Sequence, residues 1–561
     1  MHTYPVEAAA AFLRDGWWSG RVWDDHLRGH AAATPDKLSL VDPPNKAAIT
    51  GGEPRRLTWA EVDALVDRTA RALFDHGIRA DAVVGVQLPN SVELPITLLA
   101  VTRLGCVVTP FPVQYRRHEL TNMGNRAGIQ AFVTSGRALG RDLAAEALAL
   151  TDAIPTLRGV LAFGEDLPAG VVAIEGDEAG SDEYAAYVRD LERSPNDTVT
   201  LAWTSGTEGE PKGVPRAHGD WEAVGHATSA CPRLTPDDVL LNLFPMVNAG
   251  GLGGMFMPWL LLGCTLAQHH PFSLDVFLGQ IADERVTYTC APPLVLDTIV
   301  GDDAIFGKRD LGSLRAVGSG SAPLAGWMIS KWEKDHGVEV LNLFGSNEGG
   351  ILFADQDTVP DPYERGRLFP RYGIPEMPFR HEVAHAMSGR LVDLDDGSEI
   401  TEPGRPGELR LKGPVIFAGY WGRGRDGFDE DGWFCTGDVF EISAERPDYF
   451  VHVDRAKDLI VRGGYKISAA EVESLVSADP GVAEVAAVAM PDERLGERVC
   501  LFVVAAPGHE PPTLADVVAR LRAQDVATFK LPERIEVVDA LPRNPVGKVL
   551  KRELREQLAR G

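Results

Sequence analysis

The chain has 561 residues, of which 44% are hydrophobic and 24% charged, a balance typical of a globular protein with several core-forming units. Its formal net charge of −26 disfavours nucleic acid and anionic membranes as partners. The six cysteines are scattered without a C-x-x-C pair, which predicts reduced thiols, no zinc site and a cytoplasmic location. The longest apolar stretch, 256–267, is too short to span a bilayer, and the N-terminus lacks a signal-peptide pattern, so no membrane insertion is predicted.

Helical and strand patterns alternate from about residue 57 onward. Thr58 and Glu61 form a capping-box pattern, apolar residues follow at helical spacing, and Gly77 ends the helix. Strand patterns occupy 83–88, 106–110 and 198–203. This alternation is typical of an α/β architecture with largely parallel sheets.

The C-terminal part is predicted to form a separate small unit. Its elements alternate between helix and strand: a helix capped by Ser468, strands at 482–490 and 499–505, a helix from Leu514, and a strand at 534–538. We place the boundary at Lys457. Residues 1–456 then form a large N-terminal domain, and residues 457–561 form a small C-terminal domain.

The loop after strand 198–203 is the most informative segment. It runs from Thr204 to Gly213 and combines glycines and hydroxyl side chains with Lys212. Glycine lets backbone N–H groups approach an anion, hydroxyls donate hydrogen bonds, and lysine supplies positive charge. The composition predicts a nucleotide phosphate site, although the spacing does not fit the Walker pattern. The structural alternative is a Gly/Pro-rich surface turn.

This loop resembles the phosphate loop of the adenylate-forming (ANL) superfamily, which includes the acyl-CoA synthetases, and matching segments follow in that family's order. The resemblance implies a large N-terminal domain of parallel and mixed sheets wrapped by helices, with a small mobile C-terminal α+β domain. It also implies a small-molecule carboxylic acid as substrate, with ATP or acyl-adenylate, Mg²⁺ and coenzyme A as ligands. The nucleotide-binding residues would be Thr204, Ser205, Gly206, Thr207, Glu208, Gly209 and Lys212, then Gly320, Ser321 and Ala322, then Phe344, Gly345, Ser346 and Asn347.

Within this resemblance, Phe344 would stack on adenine, and Asn347 replaces the family's threonine beside the α-phosphate. Glu348 would help to hold Mg²⁺, a role that suits a hard carboxylate. Asp438 would accept hydrogen bonds from the ribose hydroxyls, and Arg455 would reinforce that contact.

Lys548 would be the catalytic lysine of the C-terminal loop. Its charge would stabilise the developing charge on the α-phosphate, which is electrostatic catalysis. Lys457 would be the hinge about which the small domain turns. Gly463, Gly464 and Tyr465 would bind CoA, because glycine permits close approach of the backbone to the pantetheine arm.

The acyl pocket is predicted from a run of small residues. Asn248 is also assigned to the catalytic set, because the family often has an aromatic residue or histidine there. The small side chains predict a large, apolar acid, such as a polycyclic acid of secondary metabolism, and close helix packing is the alternative. The predicted lining residues are Met246, Val247, Asn248, Ala249, Gly250, Gly251 and Gly318.

Glu208 departs from the family pattern by placing a carboxylate where a second hydroxyl is usual. At about 5 Å and an effective dielectric near 20, each like-charge pair with a phosphate costs roughly 3 kcal/mol. We therefore hypothesise a thioester-forming ligase with impaired adenylation, which would accept acyl-adenylate from a separate adenylating enzyme.

Three alternatives stay open. A complete two-step synthetase is equally compatible, because Glu208 could pair with Lys212 or Arg216 or help to bind Mg²⁺, and because Lys548 is retained. The acceptor could be a carrier protein instead of CoA. A non-catalytic adenylate-binding protein is the alternative of another class.

Overall fold

The computed structural model describes residues 1–174, 182–204, 211–320, 324–463, 465–492, 494–524, 526–544 and 547–560. The chain divides into two compact units. The first unit comprises Met1–Thr204, Pro211–Ser388 and Lys412–Phe428, and the second comprises Gly389–Leu411 and Asp429–Gly561. The predicted boundary at Lys457 falls inside the second unit, and the division into domains 1–456 and 457–561 stays a prediction.

An eight-stranded sheet forms one layer of the first unit. Its pairings are parallel except at the two edges, where the outermost strands run antiparallel to their neighbours. Apolar residues of the sheet, among them Leu241 and Val317, pack against helix residues such as Phe277 and Trp332. In spatial order the strands are Ile351–Ala354, Glu339–Gly345, Ala316–Gly320, Tyr288–Cys290, Val239–Asn242, Thr265–Gln268, Leu38–Val41 and Arg56–Thr58.

A seven-stranded sheet forms a second layer of this unit and carries the predicted phosphate loop. Its first two strands form an antiparallel pair that brackets the loop, and the other pairings are parallel. The strands in order are Gly213–Ala217, Thr198–Trp203, Val107–Pro110, Val83–Gln87, Ala131–Ser135, Gly159–Phe163 and Val171–Ala173. Further short strands are Arg137–Ala138, Arg141–Asp142 and Leu368–Pro370.

Several helices of the first unit begin at a side-chain cap, among them those capped by Thr58, Asp142 and Asp361. The predicted capping box is confirmed: Glu61 N donates to Thr58 Oγ1 over 3.3 Å, and Thr58 N donates to a Glu61 carboxylate oxygen over 2.8 Å. The helices are Val6–Arg14, Trp23–Ala33, Lys46–Thr50, Trp59–Asp75, Glu93–Arg103, Arg117–Ala127, Leu143–Leu148, Asp182–Asp190, His218–Ala230, Ala249–Gly251, Met257–Leu262, Leu274–Asp283, Pro293–Gly301, Asp303–Phe306, Gly326–His336 and Pro362–Arg365, with a π-helical turn at Leu252–Phe256 and a 3₁₀ turn at Glu382–Ala386.

The second unit contains two sheets. One holds, in order, Tyr449–Arg455, Phe434–Ile442, Gly407–Lys412, Ser388–Val392 and Glu399–Ile400. The other holds Tyr465–Ile467, Ile460–Arg462, Gly496–Ala505 and Val482–Asp492, and Arg534–Val537 pairs in parallel with Gly496–Ala505. The helices are Ala469–Ser477, Leu514–Ala523 and Lys551–Arg560, with a 3₁₀ turn at Thr528–Lys530.

The predicted α/β class is confirmed. Ser468 caps its helix as expected, since Glu471 N donates to Ser468 Oγ over 3.0 Å. All six cysteines lie in the described part of the chain and are free thiols. Among the helices that the structure describes, none combines the length and apolarity needed to cross a bilayer.

Candidate functional site

The two ends of the predicted phosphate loop are joined by hydrogen bonds. Thr204 N donates to the Lys212 carbonyl oxygen over 3.0 Å, and Lys212 N donates to Thr204 Oγ1 over 3.1 Å. The flanking strands therefore close the loop at its base. The predicted phosphate-binding residues Ser205, Gly206, Thr207, Glu208 and Gly209 lie outside the described residues, as do Ser321, Ala322 and Gly464.

Lys212 and Glu348 meet at one aromatic side chain, Tyr420. The Lys212 ammonium lies 4.7 Å from the centre of the Tyr420 ring, where it gains a cation–π interaction. The Tyr420 hydroxyl donates to Glu348 Oε1 over 2.9 Å. The loop lysine and the predicted Mg²⁺ ligand are thus held against opposite parts of the same residue, a link that sequence reasoning missed.

Glu348 fits the predicted role of a metal ligand. Its Oε1 is held by Tyr420, whereas its Oε2 makes no hydrogen bond within the described residues. The structure groups no three potential His, Cys, Asp or Glu ligands together in the part of the chain it describes. A single carboxylate suits Mg²⁺, which commonly keeps several waters and binds substrate phosphates.

Asn347 joins three segments of the first unit. Its Oδ1 accepts from Ala249 N over 2.8 Å, and its Nδ2 donates to the Trp203 carbonyl oxygen over 3.3 Å. The predicted acyl segment and the strand before the phosphate loop are therefore tied to the turn that carries Glu348. The Ser346 hydroxyl in the same turn is buried without a hydrogen-bond partner among the described residues, which leaves it as an available donor.

Two glycines are tightly packed: Gly320 of the predicted nucleotide site and Gly318 of the predicted acyl pocket. A Cβ on Gly320 would lie 1.9 Å from the Leu343 carbonyl oxygen, and one on Gly318 would lie 2.7 Å from both the Tyr288 hydroxyl and Cys290 Sγ. Close approach of neighbouring strands thus requires glycine at both positions. Phe344 is half-buried and meets Phe369 edge-on at 6.2 Å between ring centres.

The predicted acyl segment divides into packed and open positions. Met246 is fully buried, and a Cβ on Gly251 would lie 2.3 Å from the Pro245 carbonyl oxygen, so Gly251 serves close packing. Gly250 is exposed, and the nearest atom to a Cβ there is Asn248 Oδ1 at 3.4 Å. Asn248 caps the helix by accepting from Gly251 N over 3.2 Å. The half-buried Val247 and Ala249 flank this cap.

Arg216 is fully buried and serves as an anchor. Its Nε donates to Asp220 Oδ2, its Nη1 to the Asn347 carbonyl oxygen and its Nη2 to the Val415 carbonyl oxygen, each over 3.0 Å. These bonds occupy all three nitrogen positions of the guanidinium. The sequence offered no local signal for this role.

The predicted ribose site in the second unit is formed by a cross-strand pair. Asp438 and Arg455 face each other in antiparallel register, and Arg455 Nε lies 3.1 Å from Asp438 Oδ1. Asp438 N donates to Thr436 Oγ1 over 3.1 Å, which fixes the backbone before the carboxylate. Asp438 is buried, with His452 Nε2 at 3.8 Å.

Lys548 lies within electrostatic reach of this pair in the same unit. Desolvation is the largest cause of its lowered pKa, followed by the positive charge of Arg455, while Asp438 acts in the opposite direction. The side chain itself keeps contact with solvent. Lys548 N donates to Asn544 Oδ1 over 2.9 Å, which closes the loop that presents the ammonium.

The predicted hinge and the predicted CoA-binding residues follow Arg455 in the chain. The Lys457 carbonyl oxygen accepts from Arg555 Nη2 over 3.2 Å, and Arg555 also pairs with Asp458. Gly463 adopts a positive φ of 57° in the turn between two strands. Tyr465 is exposed and stacks on Phe529, with ring centres 4.5 Å apart. The roles in domain movement and CoA binding stay predictions.

Comparison with known proteins identifies the class to which this fold and site belong. A family model described as AMP-binding enzyme matches residues 27–421, and one described as AMP-binding enzyme C-terminal domain matches residues 471–548. The chain belongs to this AMP-binding enzyme family, the adenylate-forming superfamily that its motifs resemble.

Three relatives illustrate the similarity. The chain is 32% identical to 2-hydroxy-7-methoxy-5-methyl-1-naphthoate–CoA ligase of Streptomyces carzinostaticus, over 99% of this chain and 97% of the relative. It is 30% identical to 2,3-dihydroxybenzoate-AMP ligase of Bacillus subtilis, again over 99% and 97%. The crystal structure of ATP-bound MatB from Rhodopseudomonas palustris superposes with a TM-score of 0.76 at 27% identity, covering 96% of this chain and 99% of MatB.

Proposed function

We propose that the protein is an acid–thiol ligase that converts a bulky hydrophobic carboxylic acid into its CoA thioester through an acyl-adenylate. The observation that carries this proposal is the cross-strand pair of Asp438 and Arg455, which lies in the same compact unit as Lys548 and whose charges both act on the Lys548 pKa. Transfer of AMP from ATP to an acid needs a group that holds the ribose and a cation that offsets charge on the α-phosphate. In the first unit, Lys212 and Glu348 converge on Tyr420.

In the first step, a carboxylate oxygen of the acid would attack the α-phosphorus of ATP, and the bond to pyrophosphate would break. Asp438 would fix the ribose, and the Lys548 ammonium would offset charge on the α-phosphate oxygens. Mg²⁺ held at Glu348 would neutralise phosphate charge. In the second step, the CoA thiolate would attack the acyl carbon, and the carbon–oxygen bond to AMP would break.

The acid is proposed to be aromatic, of bicyclic size, with a polar group next to the carboxylate. Gly250 is exposed beside Asn248, whose Nδ2 makes no hydrogen bond within the described residues and can donate to a substrate. The two curated relatives above are named for acids that carry a hydroxyl at position 2. A naphthoate-sized acid combines this hydroxyl with the bulk that the small residues favour.

A second candidate is a half-enzyme that uses preformed acyl-adenylate. Glu208 favours it, because this carboxylate lies in the segment predicted to receive the outer phosphates of ATP. An acyl-adenylate lacks those phosphates and would escape most of the repulsion. Retention of Lys548 favours the complete enzyme.

Two assays on the purified protein separate these candidates. Acid-dependent exchange of label between pyrophosphate and ATP measures adenylation, and CoA thioester formation from synthetic acyl-adenylate measures the second step. Both activities indicate a complete ligase, and the second alone indicates the half-enzyme. A carrier protein offered in place of CoA tests the acceptor.

Asp438→Asn serves as the site variant and is expected to weaken both reactions, because both need the ribose contact. Asp448→Asn is the matched control, because Asp448 is an exposed carboxylate just before the neighbouring strand Tyr449–Arg455. Tight adenylate binding without either activity would refute catalysis and favour a binding protein. Equal activity of the two variants would contradict the ribose assignment.

A further inference from the structure

The N-terminal segment, which lies before the family-matched residues 27–421, places one tyrosine deep in the first unit. Tyr4 is 7% exposed. Asn196 holds both of its backbone groups, since Tyr4 N donates to Asn196 Oδ1 over 2.9 Å and Asn196 Nδ2 donates to the Tyr4 carbonyl oxygen over 3.0 Å. The ring packs edge-on against Phe12 and Trp18 at 5.7 and 5.4 Å. This anchoring fixes the position of the hydroxyl.

The Tyr4 hydroxyl lies between two acceptors. It is 2.7 Å from Asp220 Oδ2 and 2.8 Å from the Ile416 carbonyl oxygen, and both partners are buried. Burial raises the pKa of Tyr4, so the phenol keeps its proton and remains a donor. Asp220 Oδ2 also accepts from Arg216 Nε. One hydroxyl therefore orients the carboxylate that orients Arg216.

Arg216 connects Asp220 to the backbone beside Glu348, the predicted Mg²⁺ ligand. Its guanidinium donates to the carbonyl oxygen of Asn347, the residue just before Glu348, and to that of Val415. Phe417 N donates to the Glu348 carbonyl oxygen over 2.9 Å. The turn 345–350 is thus fastened to a segment that Tyr4 also holds through Ile416.

We propose that Tyr4 is a positioning residue for the turn 345–350: its hydroxyl orders Asp220 and Arg216, and these hold the backbone on either side of Glu348. What the turn does in catalysis rests on the proposed function, whereas the ordering itself does not. Removing the hydroxyl leaves the buried Ile416 carbonyl without this donor and leaves Asp220 Oδ2 with Arg216 alone. Buried polar groups are costly to leave unpaired. The turn then gains freedom although no residue in it has changed.

The test uses Tyr4→Phe, which keeps the ring and deletes the hydroxyl. Tyr184→Phe is the matched control, because Tyr184 is 3% exposed and donates to Asp67 Oδ1 over 2.8 Å elsewhere in the same unit. Backbone hydrogen exchange is followed by mass spectrometry in peptides that cover residues 345–350 and 415–418. We expect about tenfold faster exchange there in Tyr4→Phe, equivalent to about 1.4 kcal/mol, and no change in the control.

Kinetic measurements on the same variant test whether the ordering of the turn 345–350 affects catalysis. Tyr4→Phe is expected to raise KM for MgATP in pyrophosphate exchange about tenfold and to change thioester formation from acyl-adenylate less than twofold. A merely structural role would lower both reactions together, and that result would overturn the proposal, as would unchanged exchange in the turn. Arg216→Lys, which keeps the charge but loses the fork of donors, carries the same test should Tyr4→Phe fail to fold.

The two proposals fail in different ways. A wild-type protein that neither makes nor consumes acyl-adenylate would refute the proposed function, and hydrogen exchange would still decide the role of Tyr4. Normal catalysis with unchanged exchange in Tyr4→Phe would refute only the positioning role.

Discussion

Replacing Lys548 by alanine removes the one positive charge that the C-terminal loop is proposed to bring to the α-phosphate. Two unit charges 4 Å apart attract by about 4 kcal/mol at an effective dielectric of 20. Because Lys548 keeps solvent contact, screening reduces this to about 2–3 kcal/mol, which corresponds to a 30- to 150-fold loss of rate. The loss is expected in adenylation, whereas thioester formation from acyl-adenylate should fall less than threefold.

The pH dependence gives a second readout of the same residue. The Lys548 pKa lies below the ordinary lysine value of 10.5, chiefly through desolvation and then through Arg455. The active ammonium is therefore lost as pH rises through this lowered pKa, and the adenylation rate should begin to fall below pH 10.5. Lys548→Arg keeps its charge throughout this range and should remove the decline.

The assay is acid-dependent pyrophosphate exchange, run in wild type and in the Glu208→Thr background if wild-type exchange is slow. Lys551→Ala is the control, because it deletes a lysine three residues away that pairs with Glu473 over 2.7 Å. Equal damage to both half-reactions by Lys548→Ala would refute the assigned role. An unchanged alkaline decline in Lys548→Arg would refute the explanation by titration.

Three further variants test other parts of the site. Glu208→Thr should tighten MgATP binding about 100-fold in calorimetry by removing like-charge repulsion, and unchanged affinity would mean that Glu208 faces away from the phosphates. Asn347→Ala should destabilise the first unit by about 2 kcal/mol, seen as a lower thermal midpoint, because its two side-chain hydrogen bonds are lost. Gly251→Ala should lower the free energy of unfolding by about 1–3 kcal/mol, because the new Cβ clashes with the Pro245 carbonyl oxygen. Gly250→Ala should change it by no more than about 0.5 kcal/mol, and equal thermal midpoints for the two variants would contradict this difference in packing.

Local patterns predicted the elements well, because caps and apolar periodicity act within a few residues. The strand pattern at 83–88 corresponds to Val83–Gln87, and the one at 534–538 corresponds to Arg534–Val537. The motifs of the nucleotide loop and the C-terminal lysine loop likewise identified the family. Each of these signals is contained in one short stretch of chain.

The supporting network could not be predicted in this way. Arg216 reaches Asn347 across 131 positions, and Tyr4 reaches Asp220 across 216. Nothing in the residues around either position signals such a partner. The glycine run after Val247 was equally ambiguous, since only the fold distinguishes the packed Gly251 from the open Gly250.

The central claim is that the protein binds an organic acid joined to AMP, with the sugar held by Asp438. A crystal structure with a non-hydrolysable acyl-sulfamoyl adenosine tests it most directly. We expect the ribose hydroxyls to lie within hydrogen-bond distance of the Asp438 carboxylate and the acyl group to lie beside Asn248 and Gly250. A ligand bound elsewhere, or a ribose remote from Asp438, would refute adenylate binding at this site.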